Sequence, residues 1–334
     1  MKNTIKTFAL FLTAGAMLAS CDSYLDRQPD EPLTSDNIFK KQKTTLQYLT
    51  NIYSYQPDYE APACVSNSND IPWEACSDET SFAYLDRSYT QINYNSWNPS
   101  LHIYRDDTYN TPYKGIREAN YFMQHVHECP ELTDTDKGYY YNEARFLRAH
   151  FYAMMLSVYG PVFLIGDDPV DFTQSGLDQR ERNTWDECVS YVANELWEAA
   201  KGLPDSWPDI YYGRATKGAA LAARARLLLY SARKLFNGNE LYKGIVNRNG
   251  DHLFPTQYDE KKWELAAQAA KDVMNLNLYS LVGADGTDPY ASFNTLFTSV
   301  GSGTGATEKI YTRIASGYQW RVVTTPPSVG GTAY

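Results

Sequence analysis

The sequence is poor in the residues from which reactive centres are usually built. It has 5 cysteines and 5 histidines among 334 residues. None of them falls into a Cys-x-x-Cys or His-Glu-x-x-His spacing, so the common zinc patterns are absent. His125, His127 and Cys129 are close in sequence. Residues two apart on a helix face different ways, however, so at most His125 and Cys129 share a face and no metal site is assigned. Asp285, Gly286 and Asp288 hint at calcium, but no Glu stands at the twelfth position that an EF-hand loop requires. No Gly-x-Ser-x-Gly elbow is present to anchor serine hydrolase chemistry. The run Gly301-Ser302-Gly303-Thr304-Gly305 lacks the Lys-Ser/Thr of a phosphate-binding loop and reads as a flexible segment. Glycoside hydrolysis needs two carboxyls about 5 to 9 Å apart across a cleft. No spacing nominates such a pair, and Asp78-Glu79 read as solvated or ligand-contacting loop residues. Basic clusters are missing too: 30 Lys and Arg face 40 Asp and Glu, for a net charge of −10. Nucleic acid is therefore excluded as a partner. Neither a catalytic residue nor a cofactor is expected.

What the chain does have is aromatic side chains: 28 Tyr, 7 Trp and 13 Phe. This exceeds what a core needs, and Tyr and Trp suit surfaces that are half apolar and half polar. The N-terminus carries an address. Lys2 and Lys6 form a basic region, and Phe8 to Ala19 is apolar but too short to span a bilayer. Leu18-Ala19-Ser20-Cys21 closes it in the manner of a bacterial lipobox, with Cys21 as the acylated first residue of the mature chain. The plainer alternative is a secretory signal with a chance Cys. Residues 1–20 are thus read as a lipoprotein signal peptide and 21–33 as a polar, Pro-bearing tether from lipid to fold. No later apolar run reaches spanning length. Export permits disulfides. Cys64 and Cys76 flank a short loop and are placed to pair, whereas Cys129 and Cys188 read as buried thiols.

From residue 34 onward the apolar spacing is helical. Glu143 to Tyr159 carries two apolar faces: Ala144, Leu147, Phe151, Met154 and Val158 on one, and Phe146, Ala149, Ala153 and Leu156 on the other. Such a helix must be covered on two sides. Gly160-Pro161 stops it, and a short buried extended run follows to Ile165. Five further helices are predicted: one opening at Thr34 or Ser35 and ended by Pro57, then Tyr113–Glu128, one opening at Thr184, Thr216–Phe236 and about Asp259–Leu276. Thr184-Trp185-Asp186-Glu187 is a capping box. The last helix aligns Trp263, Ala267, Ala270 and Met274. Trp185, Trp197 and Trp263, being within helices, are read as core. Arg145, Arg148 and Tyr152 lie off the main faces of the central helix and are read as structural pairing.

Six helices fall into three sequential pairs, which predicts a mainly α fold of stacked, tetratricopeptide-like hairpins. Irregular, aromatic-rich insertions interrupt it at about 56–112 and 277–334, and residues 34–334 form a single domain. Glu308 to Ile314 reads as a short strand. Insertions in such solenoids tend to gather on one face, often the binding face. Sugar binding needs flat rings for the C–H faces of pyranoses and polar side chains for the hydroxyls. Trp73, Trp97 and Trp320 lie outside the helices beside such polar residues. The candidate ligand set is Trp73, Arg87, Tyr94, Trp97, Asn98, Tyr318, Trp320 and Arg321. The competing reading is that these rings fill small cores of the insertions themselves.

Four blocks carry a resemblance: CDSYLDRQPDEPLTSDNIF after the lipobox, YKGIREAN at 113–120, EARFLRAHFYAMMLSVYGPVFLI at 143–165, and ATKGAALAARARLLLYSA at 215–232. Together, in this order, they resemble the SusD/RagB family of Bacteroidetes surface lipoproteins. The resemblance implies a non-enzymatic, outer-membrane lipoprotein that binds oligo- or polysaccharide and passes it to a SusC-like TonB-dependent transporter. It also implies ligand-stacking aromatics from the first insertion and from the region near Trp320. Members of that family continue well beyond the PPS-x-GG segment at 326–331, so the resemblance is to a C-terminally shortened member. Two alternatives stand beside it: a helical-repeat lipoprotein that binds peptide or protein, and a surface glycoside hydrolase.

Overall fold

The structure is a computed structural model that describes residues 35–56, 77–78, 94–96, 98, 107–167, 180–299 and 306–313. Its α-helices are α1 (Ser35–Ile38), α2 (Gln42–Tyr53), α3 (Asp107–His125), α4 (Asp134–Tyr159), α5 (Trp185–Gly202), α6 (Lys217–Ala232), α7 (Lys261–Met274) and α8 (Pro289–Thr298). From α3 to α7 each helix packs on the next, and α2 lies across α3 and α4. This is the helical-hairpin stack that the apolar spacing predicts. Among the described residues there is no strand, only a single antiparallel bridge between Val246 and His252. No helix is long and apolar enough to cross a membrane among the described residues.

Helix α4 is the middle of the stack. The Thr133 hydroxyl accepts from the Asp136 amide at its start. Gly160 ends it at φ 67°, a backbone angle that favours glycine. Phe146, Ala149 and Leu156 are buried on one side and Ala144, Leu147 and Phe151 on the other. The run after it is extended but pairs with no strand; Val162 O accepts from the Asn183 amide, and side chains satisfy much of the rest. The Tyr113 hydroxyl donates to Phe163 O at 2.9 Å and accepts from Phe163 N at 3.1 Å. The Tyr152 hydroxyl treats Ile165 the same way, and Asn183 Oδ1 accepts from Leu164 N. Buried backbone groups need such partners, and here tyrosines supply them.

Two buried ionic clusters lock α4 to its neighbours. Glu195 on α5 accepts from Arg145 Nε at 3.0 Å and from Arg145 Nη2 at 2.7 Å. It also accepts from Arg148 Nη2, while Arg148 Nη1 donates to Asn120 and Asp167. Burial pushes the Glu195 carboxyl up, but bonds from Arg145 and Arg148 hold it below the usual carboxylate range. The structural role expected for Arg145, Arg148 and Tyr152 is what their contacts show. Glu143, wholly buried, forms the second cluster with Tyr53 and Arg214.

Helix α5 follows its pattern closely. Its capping box is formed, and Trp185, Val189, Val192, Leu196 and Ala199 are all buried. Cys129 and Cys188 are free and buried, as expected; Cys64 and Cys76 lie outside the described residues.

Several expectations are corrected. Helix α3 begins at Asp107, six residues before the predicted start, with Pro112 inside it. The proline forfeits one backbone bond without ending the helix. Helix α7 buries Ala266 and Ala269 against α6, so the predicted stripe of Trp263, Ala267, Ala270 and Met274 faces outward. Trp263 is 41% exposed and Trp197 38%, so of the three helical tryptophans only Trp185 is core. Trp197 instead lies under the Lys201 and Arg224 cations. Residues 277–299 are not wholly irregular: Asp288 caps α8, with Pro289 at its first position. The expected strand at 308–314 is also absent over its described part. Glu308 closes a short 3-10 turn, and Lys309 to Arg313 have no strand partner. Tyr311 from this segment packs on Phe146 and His150 instead.

Candidate functional site

An open cleft of about 250 Å³ lies where the loop between α5 and α6 meets two parts of the 277–334 insertion. The loop is Asp-Ser-Trp-Pro-Asp-Ile-Tyr-Tyr-Gly-Arg, residues 205–214. Pro208 and the positive-φ Gly213 (91°) keep it out of helix apart from one 3-10 turn at Asp209–Tyr211. It contributes Trp207, Tyr211 and Tyr212 to the wall, and the insertion contributes Tyr279, Lys309 and Thr312.

Arg214 organises this wall. Its guanidinium lies 4.0 Å from the centre of the Trp207 ring, 4.8 Å from Tyr140 and 5.0 Å from Tyr211. Cation–ring attraction holds the three rings around it. Behind the rings, Arg214 Nε donates to Glu143 Oε2 at 2.9 Å and Nη2 donates to Oε1. The Tyr53 hydroxyl donates to the same carboxylate at 2.7 Å and accepts from Ala215 N at 2.9 Å. Burial pushes the Glu143 carboxyl up, and Arg214 opposes that rise. The bidentate geometry with a third donor is that of an ion pair. Arg214 is thus held by Glu143 and the three rings and serves as the pivot of the site.

The remaining polar groups are anchored as well. Trp207 Nε1 donates to Ala215 O at 2.7 Å, which fixes the indole plane. The Tyr212 hydroxyl pairs with Thr312 Oγ1 at 3.2 Å across the cleft. Lys309 Nζ donates to Ser299 O, and Lys217 Nζ to Asp205 Oδ1. Burial raises the Tyr279 hydroxyl pKa, opposed by its bond to Thr216. Tyr311 accepts from Gln56 Nε2 at 2.6 Å, and burial pushes its hydroxyl up to about 12. Tyr279 and Tyr311 stay neutral at ordinary pH. The cleft therefore offers flat rings and neutral hydroxyls, with its nearby cations already engaged. Chemically it suits a neutral, hydroxyl-bearing ligand with apolar C–H faces.

Of the ligand residues expected from sequence, Trp73, Arg87, Trp97, Tyr318, Trp320 and Arg321 lie outside the described residues, as does the lipidation candidate Cys21. Tyr94 is described and 60% exposed, next to Asn95 at φ 54°. Asn98 is exposed. Sequence reasoning missed Trp207, Tyr211, Tyr212 and Tyr279. For the first three the signal was the aromatic, proline-bearing stretch between two strong helices, and Tyr279 lies in the insertion marked at 277–334. His125, His127 and Cys129 do not converge: His125 pairs with Glu128 and stacks on Phe39, while His127 lies against Tyr141. No group of three metal-ligating side chains forms among the described residues. Asp285 accepts from Thr287, and Asp288 caps α8.

The architecture is a helical-hairpin scaffold with an aromatic cleft at its interhelical loops. The chain belongs to the SusD-like family: the family model described as starch-binding associating with outer membrane matches residues 23–229. No curated protein matches the sequence. Among solved structures, BT4246 is 25% identical with a TM-score of 0.60, over 77% of this chain and 43% of that one. A SusD-like protein from Bacteroides fragilis is 24% identical with a TM-score of 0.59, over 78% and 42%. The surface glycan-binding protein A from Bacteroides uniformis shares the fold at 16% identity and a TM-score of 0.53, over 72% and 47%. The chain spans less than half the length of these structures.

Proposed function

We propose that this protein is a cell-surface glycan-binding lipoprotein. It captures oligo- or polysaccharide and delivers it to a TonB-dependent transporter in the outer membrane, making and breaking no bond. Cys21 carries the lipid, residues 21–33 tether the fold, and residues 34–334 form one domain. The observation that carries the reading is the aromatic cleft around Arg214, on a scaffold whose family is described as starch-binding. Stacked rings provide the C–H contacts that a pyranose needs, and the tyrosine hydroxyls and Thr312 complement its hydroxyls. Lys309 to Thr312 lead along the chain toward Tyr318, Trp320 and Arg321. These three, with Trp73, Arg87, Tyr94, Trp97 and Asn98, are the further ligand residues of this reading.

The test is calorimetric titration of the purified protein with maltoheptaose and a panel of plant and microbial oligosaccharides, with the mixture sampled by chromatography. Saturable binding of at least one neutral oligosaccharide, without new products, is expected. Binding of peptides and of no saccharide would overturn the reading, and so would released sugar fragments.

A further inference from the structure

A second cleft, of about 380 Å³, shares no residue with the aromatic cleft around Arg214. It lies between the turn that ends α6 and the approach to α7, and is lined by Lys234, Asn237, Gly238, Tyr258 and Trp263. Its walls are tied together without any ligand. Asn237, wholly buried, donates through Nδ2 to Asp259 O at 2.8 Å and accepts from Asp259 N at 2.9 Å. Gly238 sits at φ +75°, and a Cβ there would stand 2.5 Å from Tyr258 N. The two backbone segments therefore approach as closely as only glycine allows. A preformed cleft avoids the ordering cost that weakens binding by loose loops.

The lining is unusual in what it leaves unused. Tyr258 is 57% exposed and Trp263 41% exposed. Among the described residues, Tyr258 Oη, Trp263 Nε1 and Lys234 Nζ have no hydrogen-bond or ion-pair partner. The neighbouring cations are occupied: Arg233 lies over the Tyr230 ring at 3.9 Å, and Lys262 pairs with Asp186. Asp259 turns its Oδ1 to the Lys261 amide. Two flat rings, two idle N–H or O–H donors and one unpaired ammonium describe a site for a ligand with apolar faces and an anionic acceptor.

We infer that this cleft is a second saccharide subsite, selective for an acidic sugar such as a uronate. The ring stacks on Trp263 or Tyr258, and its carboxylate pairs with Lys234. The inference goes beyond the glycan-binding reading of the first cleft, which favours neutral sugars. The test titrates the whole chain with oligosaccharides of galacturonate, glucuronate and mannuronate and with their fully methyl-esterified, neutral forms. Wild type is expected to prefer at least one acid over its ester by about tenfold. Lys234→Gln should erase that preference while leaving ester binding in place. Trp263→Ala should weaken acid and ester alike by about tenfold. Both side chains are at the surface, so folding is retained, and an unchanged circular dichroism melt checks it. Neutral oligosaccharides that bind the first cleft should be unaffected by either change. Wild type that binds no acidic sugar, a Lys234→Gln variant that keeps the acid preference, or a Trp263→Ala variant that binds acid and ester as tightly as wild type overturns the inference. If neutral oligosaccharides still bind, the glycan-binding reading survives that outcome; if no saccharide of any kind binds, both fall.

Discussion

Replacing Glu143 by alanine should be among the most damaging single changes in this protein, and the structure says why. The Glu143 side chain is 0% exposed and accepts from three donors on two other segments: Tyr53 Oη, Arg214 Nε and Arg214 Nη2. Truncating it strands a guanidinium whose side chain is only 14% exposed. Removing one partner of a buried pair typically costs about 3 to 5 kcal/mol, because the other charge stays buried without compensation. Arg214 has a narrow route to solvent through the cleft, which argues for the lower end, about 3 kcal/mol. In urea, with a slope of about 3 kcal/mol per molar, the midpoint should fall by roughly 1 M with the slope unchanged. The double variant Glu143→Leu with Arg214→Met is the control. Exchanging a buried pair for apolar groups of similar size is often close to neutral in stability. It should therefore recover most of the loss, yet bind oligosaccharide poorly, because no cation spaces Trp207, Tyr140 and Tyr211. A single variant that costs less than about 1 kcal/mol would refute the reasoning and mean that the carboxylate is no keystone.

Other outcomes follow from the same geometry. Thr184→Ala should cost about 1 kcal/mol by removing the cap of α5, and Thr184→Ser should restore it, as read by urea unfolding. Gly218→Ala would place a Cβ 1.8 Å from the Tyr279 hydroxyl oxygen, pushing that ring out of the cleft wall. Since alanine favours the helix by about 1 kcal/mol, ligand affinity should fall with little loss of stability. His150 is held at about 4, against an ordinary 6.5, by burial and then by Arg226. The unfolded chain then binds a proton that the folded chain refuses. This contribution is complete above pH 6.5 and lost as pH falls toward 4, up to about 3 kcal/mol. His150→Phe should flatten that part of the urea stability profile between pH 7 and 4.

The scaffold was legible because buried helices repeat their apolar residues at helical spacing. Trp185 through Ala199 behaves as its pattern says, and the two faces of α4 meet neighbours on both sides. Helix α7 was misread because two stripes compete on it. The alanine stripe wins, since small side chains let α7 approach α6 closely, and the larger Trp263 and Met274 are left outside. The extended run to Ile165 is held by tyrosine hydroxyls, and such side-chain-to-backbone pairing has no period to read. The cleft was illegible for a related reason. Trp207, Tyr211 and Tyr279 come from segments that only folding brings together, around an arginine whose partner is 71 residues away in the chain.

The most direct test of the central claim is calorimetric titration of one neutral oligosaccharide ligand into wild type, Tyr211→Ala and Tyr279→Ala. Both rings line the cleft while Glu143, Arg214 and Trp207 stay in place. The account predicts that each substitution lowers affinity by about tenfold, the equivalent of one lost stacking contact, with the unfolding midpoint nearly unchanged. Wild-type affinity in both variants would contradict it and place the glycan elsewhere on the molecule.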